Sequence, residues 1–115
     1  MFDFEKLDIY LKAKNLNKEI LKFIQDNKLI NSYVKDQLRR ASVSVVINIA
    51  EGSGKFSKAD KRNFYTIARG STYECVSLFD IISEEEQISK EQFQDFYQKL
   101  ETVSKMLFGL INSQK

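Results

Sequence analysis

Apolar residues recur along this chain at steps of three and four, the spacing that puts side chains on one face of an α-helix. The first such run spans about Phe4 to Asp26, with Ile9, Ala13, Leu16, Ile20 and Phe23 on one face, and Asp26-Asn27-Lys28 breaks it. A second run covers about Ser32 to Glu51. Val34, Leu38, Ala41, Val45 and Asn48 form one stripe there, and Val43, Ile47 and Ala50 a second. Asn31 or Ser32 is the expected N-cap. Gly52-Ser53-Gly54 is the strongest stop signal, because glycine accepts the left-handed conformation that closes a helix. A third helix then starts at the N-cap Ser57, with Asp60 at the capping-box position. Its expected inner face is Phe64, Ile67 or Ala68, Ser71, Cys75, Leu78 and Ile82, and Glu84-Glu85-Glu86 ends it. Ser89 opens a fourth helix, with Gln92 at the same capping position, followed by Phe93, Phe96 or Tyr97, Leu100, Val103, Leu107 and Leu110. No alternating pattern competes for a strand. Short connections favour antiparallel neighbours. The pattern predicts an all-α, antiparallel up-down-up-down four-helix bundle, a single domain over residues 1–115.

The second helix departs from one-sided patterning. Between Ala41 and Ala50 only Ser42, Ser44 and Asn48 interrupt the apolar residues, so grease covers nearly the whole cylinder. A helix on the outside of a lone bundle needs one apolar stripe. This one is expected to touch both its own bundle and another subunit, which predicts a homo-oligomer.

Composition narrows the chemistry. The chain has no proline and only four glycines, which permits long helices. No stretch approaches the ~20 apolar residues of a membrane span, and the first residues show no signal-peptide pattern. A single cysteine, Cys75, excludes an intrachain disulfide framework; no membrane partner and a cytoplasmic location are expected. With no histidine, Ser-His and Cys-His nucleophile pairs and Glu-x-x-His metal sites are impossible. No catalytic residue, metal or cofactor is expected. Gly52-Ser53-Gly54-Lys55 fails as a phosphate loop, since Ile49 stands where the Walker pattern needs glycine and a helix precedes it.

The net charge of +2 is unevenly placed. Residues 1–70 hold fourteen Lys/Arg against eight Asp/Glu, whereas residues 71–115 hold four against eight. Lys55, Lys58, Lys61 and Arg62 form a basic elbow at the start of the third helix, opposed by Asp60 alone. It suits an anionic partner, RNA or DNA, with Phe56 and Tyr65 near enough to stack on bases; the plainer reading is an ordinary solvated surface with these aromatics packed in the bundle. Polar residues on the apolar faces need partners. Arg62 or Arg69 is expected to reach Asn48 or Glu51, with Gly70 allowing a close helix approach.

Specific strings then stand out. They are Gln37-Leu38-Arg39-Arg40-Ala41-Ser42-Val43-Ser44, Asn48-Ile49-Ala50-Glu51-Gly52 and Ile67-Ala68-Arg69-Gly70-Ser71 followed by Glu74. Together with Phe4-Glu5-Lys6-Leu7 and Ala13, they resemble the four-helix-bundle family encoded in intervening sequences of bacterial 23S ribosomal RNA genes, sometimes labelled S23. The resemblance spans nearly the whole chain. It implies a ring-shaped homopentamer without enzymatic activity, and relatives that serve as accessory proteins of diversity-generating retroelements, binding a reverse transcriptase and nucleic acid. It further implies that Asn48, Glu51, Arg69, Ser71 and Glu74 form a packing network between helices two and three, and that Arg39 and Arg40 are the family's basic pair, expected to bind nucleic acid together with the elbow. The expected function is a non-catalytic oligomer associated with ribosomal RNA or another nucleic acid through a basic rim. The alternative is a protein-interaction scaffold, such as a reverse-transcriptase accessory subunit.

Overall fold

The first residues do not join the first helix. In the computed structural model, which describes residues 1–115, Asp3–Lys6 form a single 3₁₀ turn and Leu7 is extended, so α1 runs only from Asp8 to Asp26. The chain then forms α2 (Ser32–Ser53), α3 (Lys58–Glu84) and α4 (Lys90–Ser113), with no strand. The body measures 44 × 25 × 22 Å. α2 packs against α1 and α3, and α4 against α3 and α1. No helix is long and apolar enough to cross a membrane.

Caps fix the helix starts. The Asn31 side chain accepts the backbone N–H groups of Tyr33 and Val34, Ser57 accepts that of Asp60, and Ser89 that of Gln92. Each satisfies donors that a first helical turn leaves free, worth about 1 kcal/mol apiece. The ends are less regular. Gly54 closes α2 at φ −84°, and no glycine takes a positive φ, so the left-handed glycine stop does not form. The left-handed residue is instead Glu86, at φ 56°, after α3. There the Gln87 N–H reaches back to Ile82 O at 3.1 Å and the Glu86 N–H to Ser83 O at 3.0 Å.

One core joins all four helices. Phe79 and Phe96 stack with centroids 4.6 Å apart, and Phe23 sits 5.5 Å from Phe96 and 5.7 Å from Phe79. Helices α1, α3 and α4 thus meet on aromatic rings. The expected α1 face, Ile9 to Phe23, is buried throughout. Of the alternatives, Ala68 and Phe96 go inward, while Ile67 and Tyr97 remain exposed. On α2, Ile49 is buried and Asn48 only half-buried; Ser42 is buried because its hydroxyl donates to Asn17 Oδ1 at 2.7 Å. On α3 the buried hydroxyl is Thr72 rather than Ser71, and it donates to Arg69 O.

Gly52, not Gly70, permits the close approach of α2 and α3. A Cβ on Gly52 would lie 2.7 Å from Tyr65 Cε1, whereas one on Gly70 would meet nothing within 4 Å. Tyr65 is therefore a core residue, 3% exposed, and burial raises the pKa of its phenol. It is not free to stack on a base.

Candidate nucleic-acid interface

The turn from α2 into α3 presents the basic elbow, but its four cations do different work. Lys61 is half-buried, and its ammonium donates to Ser53 O at 2.9 Å and to Gly52 O at 3.5 Å. Those are carbonyls at the end of α2, where the helix dipole is negative and cations are favoured. The cost of a cation near the start of α3 is thereby offset at the end of α2. Arg62, also half-buried, donates through NH1 to Gln114 O, tying the start of α3 to the end of α4. Lys55 lies 4.8 Å above the Phe64 ring, a cation–π contact that leaves the ammonium in solvent. Lys58 is exposed and pairs with no carboxylate. Between Lys55 and Lys58 stands Phe56, the most exposed large apolar side chain of the molecule at 103%.

Two ammonium groups and a free aromatic ring on one turn can hold a phosphate backbone and stack a base. Neither Lys61 nor Arg62 is free to swing fully onto a ligand without releasing a carbonyl. Arg39 and Arg40 are not brought to the elbow. They lie mid-helix on α2, and both reach Asp36, at 3.4 and 3.2 Å.

Of the expected network of Asn48, Glu51, Arg69, Ser71 and Glu74, only Asn48 and Ser71 are joined within the chain. Asn48 donates to Ser44 O at 2.9 Å and to Ser44 Oγ at 3.0 Å, and Ser44 Oγ shares a hydrogen bond with Ser71 Oγ at 2.8 Å. That short Asn48–Ser44–Ser71 bridge, in which Ser44 had no expected role, joins side chains of α2 and α3. Glu51 and Glu74 are exposed without ion-pair partners. Arg69 turns the other way, toward α4. Its guanidinium lies 5.0 Å from the Tyr73 ring and 5.3 Å from that of Phe108, donates to the Tyr73 hydroxyl, and leaves its buried Nε without a partner. The contacts failed because the sequence gives the stripe of a residue but not the direction of a long side chain, and Tyr73 one turn on competes for Arg69.

Cys75 is fully buried, with its thiol pushed up to about 12 by burial and, less, by the charge of Glu74. A thiol held neutral is a poor nucleophile. No three potential metal-ligating side chains converge. Between α3 and α4 lies an open groove of about 470 Å³ with Val76, Phe93, Tyr97 and Leu100 among its lining.

Comparison with known proteins gives a consistent picture. The model of a family described as 23S rRNA-intervening sequence protein matches residues 5–109. A crystal structure of a protein with unknown function from the S23 ribosomal protein family of Bacteroides thetaiotaomicron superposes with a TM-score of 0.83. It is 24% identical, and the match covers 90% of this chain and 97% of that one, a likeness of fold. No curated protein matches.

Proposed function

We propose that this chain, which belongs to the 23S rRNA-intervening sequence protein family, is a non-catalytic, self-assembling protein that holds nucleic acid through a basic rim. The protomer is read as one domain, an antiparallel up-down-up-down four-helix bundle. Supporting that course, Gln87 Nε2 donates to Leu29 O, which links the α1–α2 and α3–α4 connections, and Arg62 links the opposite ends of α3 and α4. Assembly as a homopentamer is supported by α2: Val43 and Ala50 are only half-buried and Ile47 is 48% exposed. A ring would place several elbows on one rim, and linked weak contacts to one polyanion multiply.

The observation that carries the nucleic-acid reading is the elbow itself, where exposed Lys55 and Lys58 flank exposed Phe56. Binding of a single-stranded RNA, followed by fluorescence anisotropy, is expected to weaken steeply with salt. Lys55→Glu/Lys58→Glu is expected to abolish it and Phe56→Ala to weaken it at every salt. No binding by the wild type at low salt overturns the reading.

A second reading, a protein-interaction scaffold such as a reverse-transcriptase accessory subunit, is favoured by the exposed aromatics Tyr73 and Tyr97 beside the α3–α4 groove. Aromatic side chains on a concave face suit protein partners. A partner retained after nuclease treatment, and lost on Tyr97→Asp, is the result that reading predicts.

A further inference from the structure

Two neighbouring faces of the protomer have opposite charge, and neither is satisfied within the chain. On α1, Lys14, Lys18 and Leu21 follow one stripe at steps of four and three; on α2, Lys35, Arg39 and Val43 follow another. Leu21, Ile24, Gln25, Lys35, Arg39 and Val43 line a common groove of about 450 Å³ between these helices. Arg39 is paired with Asp36, but Lys14, Lys18 and Lys35 have no carboxylate partner. This face is basic over an apolar floor.

The next face, shared by α2 and α3, has the opposite complement. The Asn48–Ser44–Ser71 bridge runs across its middle. Ile47 and Ile67 stand 48% and 44% exposed on it. Glu51 and Glu74 lie on it, both exposed and without a cation. Gly70 leaves open space beside them.

We propose that these faces are the two halves of one contact between copies of this chain: the α1–α2 face of one protomer seats on the α2–α3 face of the next. Lys14, Lys18 and Lys35 supply the cations that Glu51 and Glu74 lack, and Ile47 and Ile67 cover the apolar floor. The inference rests on the self-assembly proposed above and names the surfaces that make it. Charge complementarity selects a second copy as the occupant. Nucleic acid would match the lysines, but its phosphates gain nothing from Leu21, Ile24 and Val43, whereas a protein face with paired apolar and acidic groups matches both. The placement of the faces adds a geometric reason. Both include α2, so they are adjacent rather than opposite. A heterologous contact between adjacent faces turns at every step, and it closes into a ring where that rotation divides a full turn and runs on as a helical filament where it does not. The arrangement also accounts for apolar residues on so much of the α2 circumference, since Val43 flanks one contact and Ile47 the other.

The test is a charge exchange read by sedimentation velocity, with circular dichroism confirming that each variant is folded. Lys14→Glu/Lys18→Glu and Glu51→Lys/Glu74→Lys are each expected to shift the protein from assembly to single chain at concentrations where the wild type is assembled. All four substitutions in one chain exchange the charges of Lys14 and Lys18 with those of Glu51 and Glu74 and are expected to restore assembly. If either double variant assembles as the wild type does, or the fourfold variant stays dissociated, these faces are not the contact, while self-assembly through another surface stands. If the wild type itself is a single chain, the self-assembly reading fails and the contact with it.

Discussion

Gly52→Ala isolates the closest approach between α2 and α3. In an open helical position, alanine in place of glycine gains up to about 1 kcal/mol, because the unfolded chain loses less freedom on folding. At Gly52 the new Cβ would stand 2.7 Å from Tyr65 Cε1, 2.9 Å from Cδ1 and 3.1 Å from Phe64 Cβ. The Tyr65 ring is 3% exposed and has no solvent to move into, and a Cβ such as that of Phe64 moves only with its helix. Forcing one extra carbon into such packing costs roughly 1–3 kcal/mol, and the first contact is short enough to put the cost at the upper end. The clash outweighs the helical gain, and we expect a net destabilisation of about 1–2 kcal/mol. Gly109→Ala is the control, since its Cβ would meet nothing within 4 Å and should stabilise by about 0.5–1 kcal/mol. Urea unfolding followed by circular dichroism at 222 nm, at one fixed protein concentration, measures both. In a Tyr65→Leu background the cost of Gly52→Ala should shrink markedly, because the ring edge that it strikes is gone. A Gly52→Ala protein as stable as the wild type would refute the reasoning about this contact.

Other expectations follow from single features. Glu86 holds a left-handed backbone at φ 56°, so Glu86→Gly should raise stability by roughly 0.5–1 kcal/mol in the same urea assay. Lys61→Met removes the ammonium from the terminal carbonyls of α2 and should cost about 1 kcal/mol, with more amide exchange in the last turn of that helix. Burial raises the Cys75 thiol from 9.0 to about 12. The folded state therefore keeps a proton that the unfolded chain gives up, and this contribution to stability is whole below pH 9 and lost as pH climbs toward 12. Across that window stability should fall by about 1.4 kcal/mol per pH unit from this group alone. Cys75→Ala should flatten the decline without abolishing it, because Tyr65 and Lys99 are also raised, Lys99 first through its hydrogen bonds with Glu19 and Asp95.

Much of the fold was legible because the hydrophobic period is a local property. Ile9, Ala13, Leu16, Ile20 and Phe23 needed only their spacing, and the caps Ser57 and Ser89 only their residue types and neighbours, whereas residue type fits both Asn31 and Ser32 and the backbone makes Asn31 the cap. What the sequence left open depended on the neighbouring helix. Ile67 and Ala68 both fit the α3 stripe, and only the closeness of α2 favours the smaller one inside. Ser42 looked like an interruption until Asn17, on another helix, supplied its hydrogen bond. The first helix was drawn too long because Phe4 and Leu7 keep the helical spacing even though the backbone between them is 3₁₀ and extended. The elbow was legible as a charge cluster, but not as one whose members split between capping and solvent. A lysine soon after a glycine-terminated helix was the available signal for Lys61, since terminal carbonyls attract cations. For Tyr65 the choice between stacking on a base and packing in the bundle stayed open for a related reason: nothing local says that Gly52 opens a slot for its ring. Lys14 and Lys18 stand four apart in the sequence, but nothing local brings Lys35 of the next helix beside them.

Self-assembly depends on α2 having more apolar surface than one protomer covers. Sedimentation equilibrium of the wild-type protein over a wide concentration range tests that directly. A particle of five chains, dissociating only on dilution or on charge reversal of its faces, is the predicted result. A mass of 13.4 kDa, that of one chain, persisting at high concentration would contradict it.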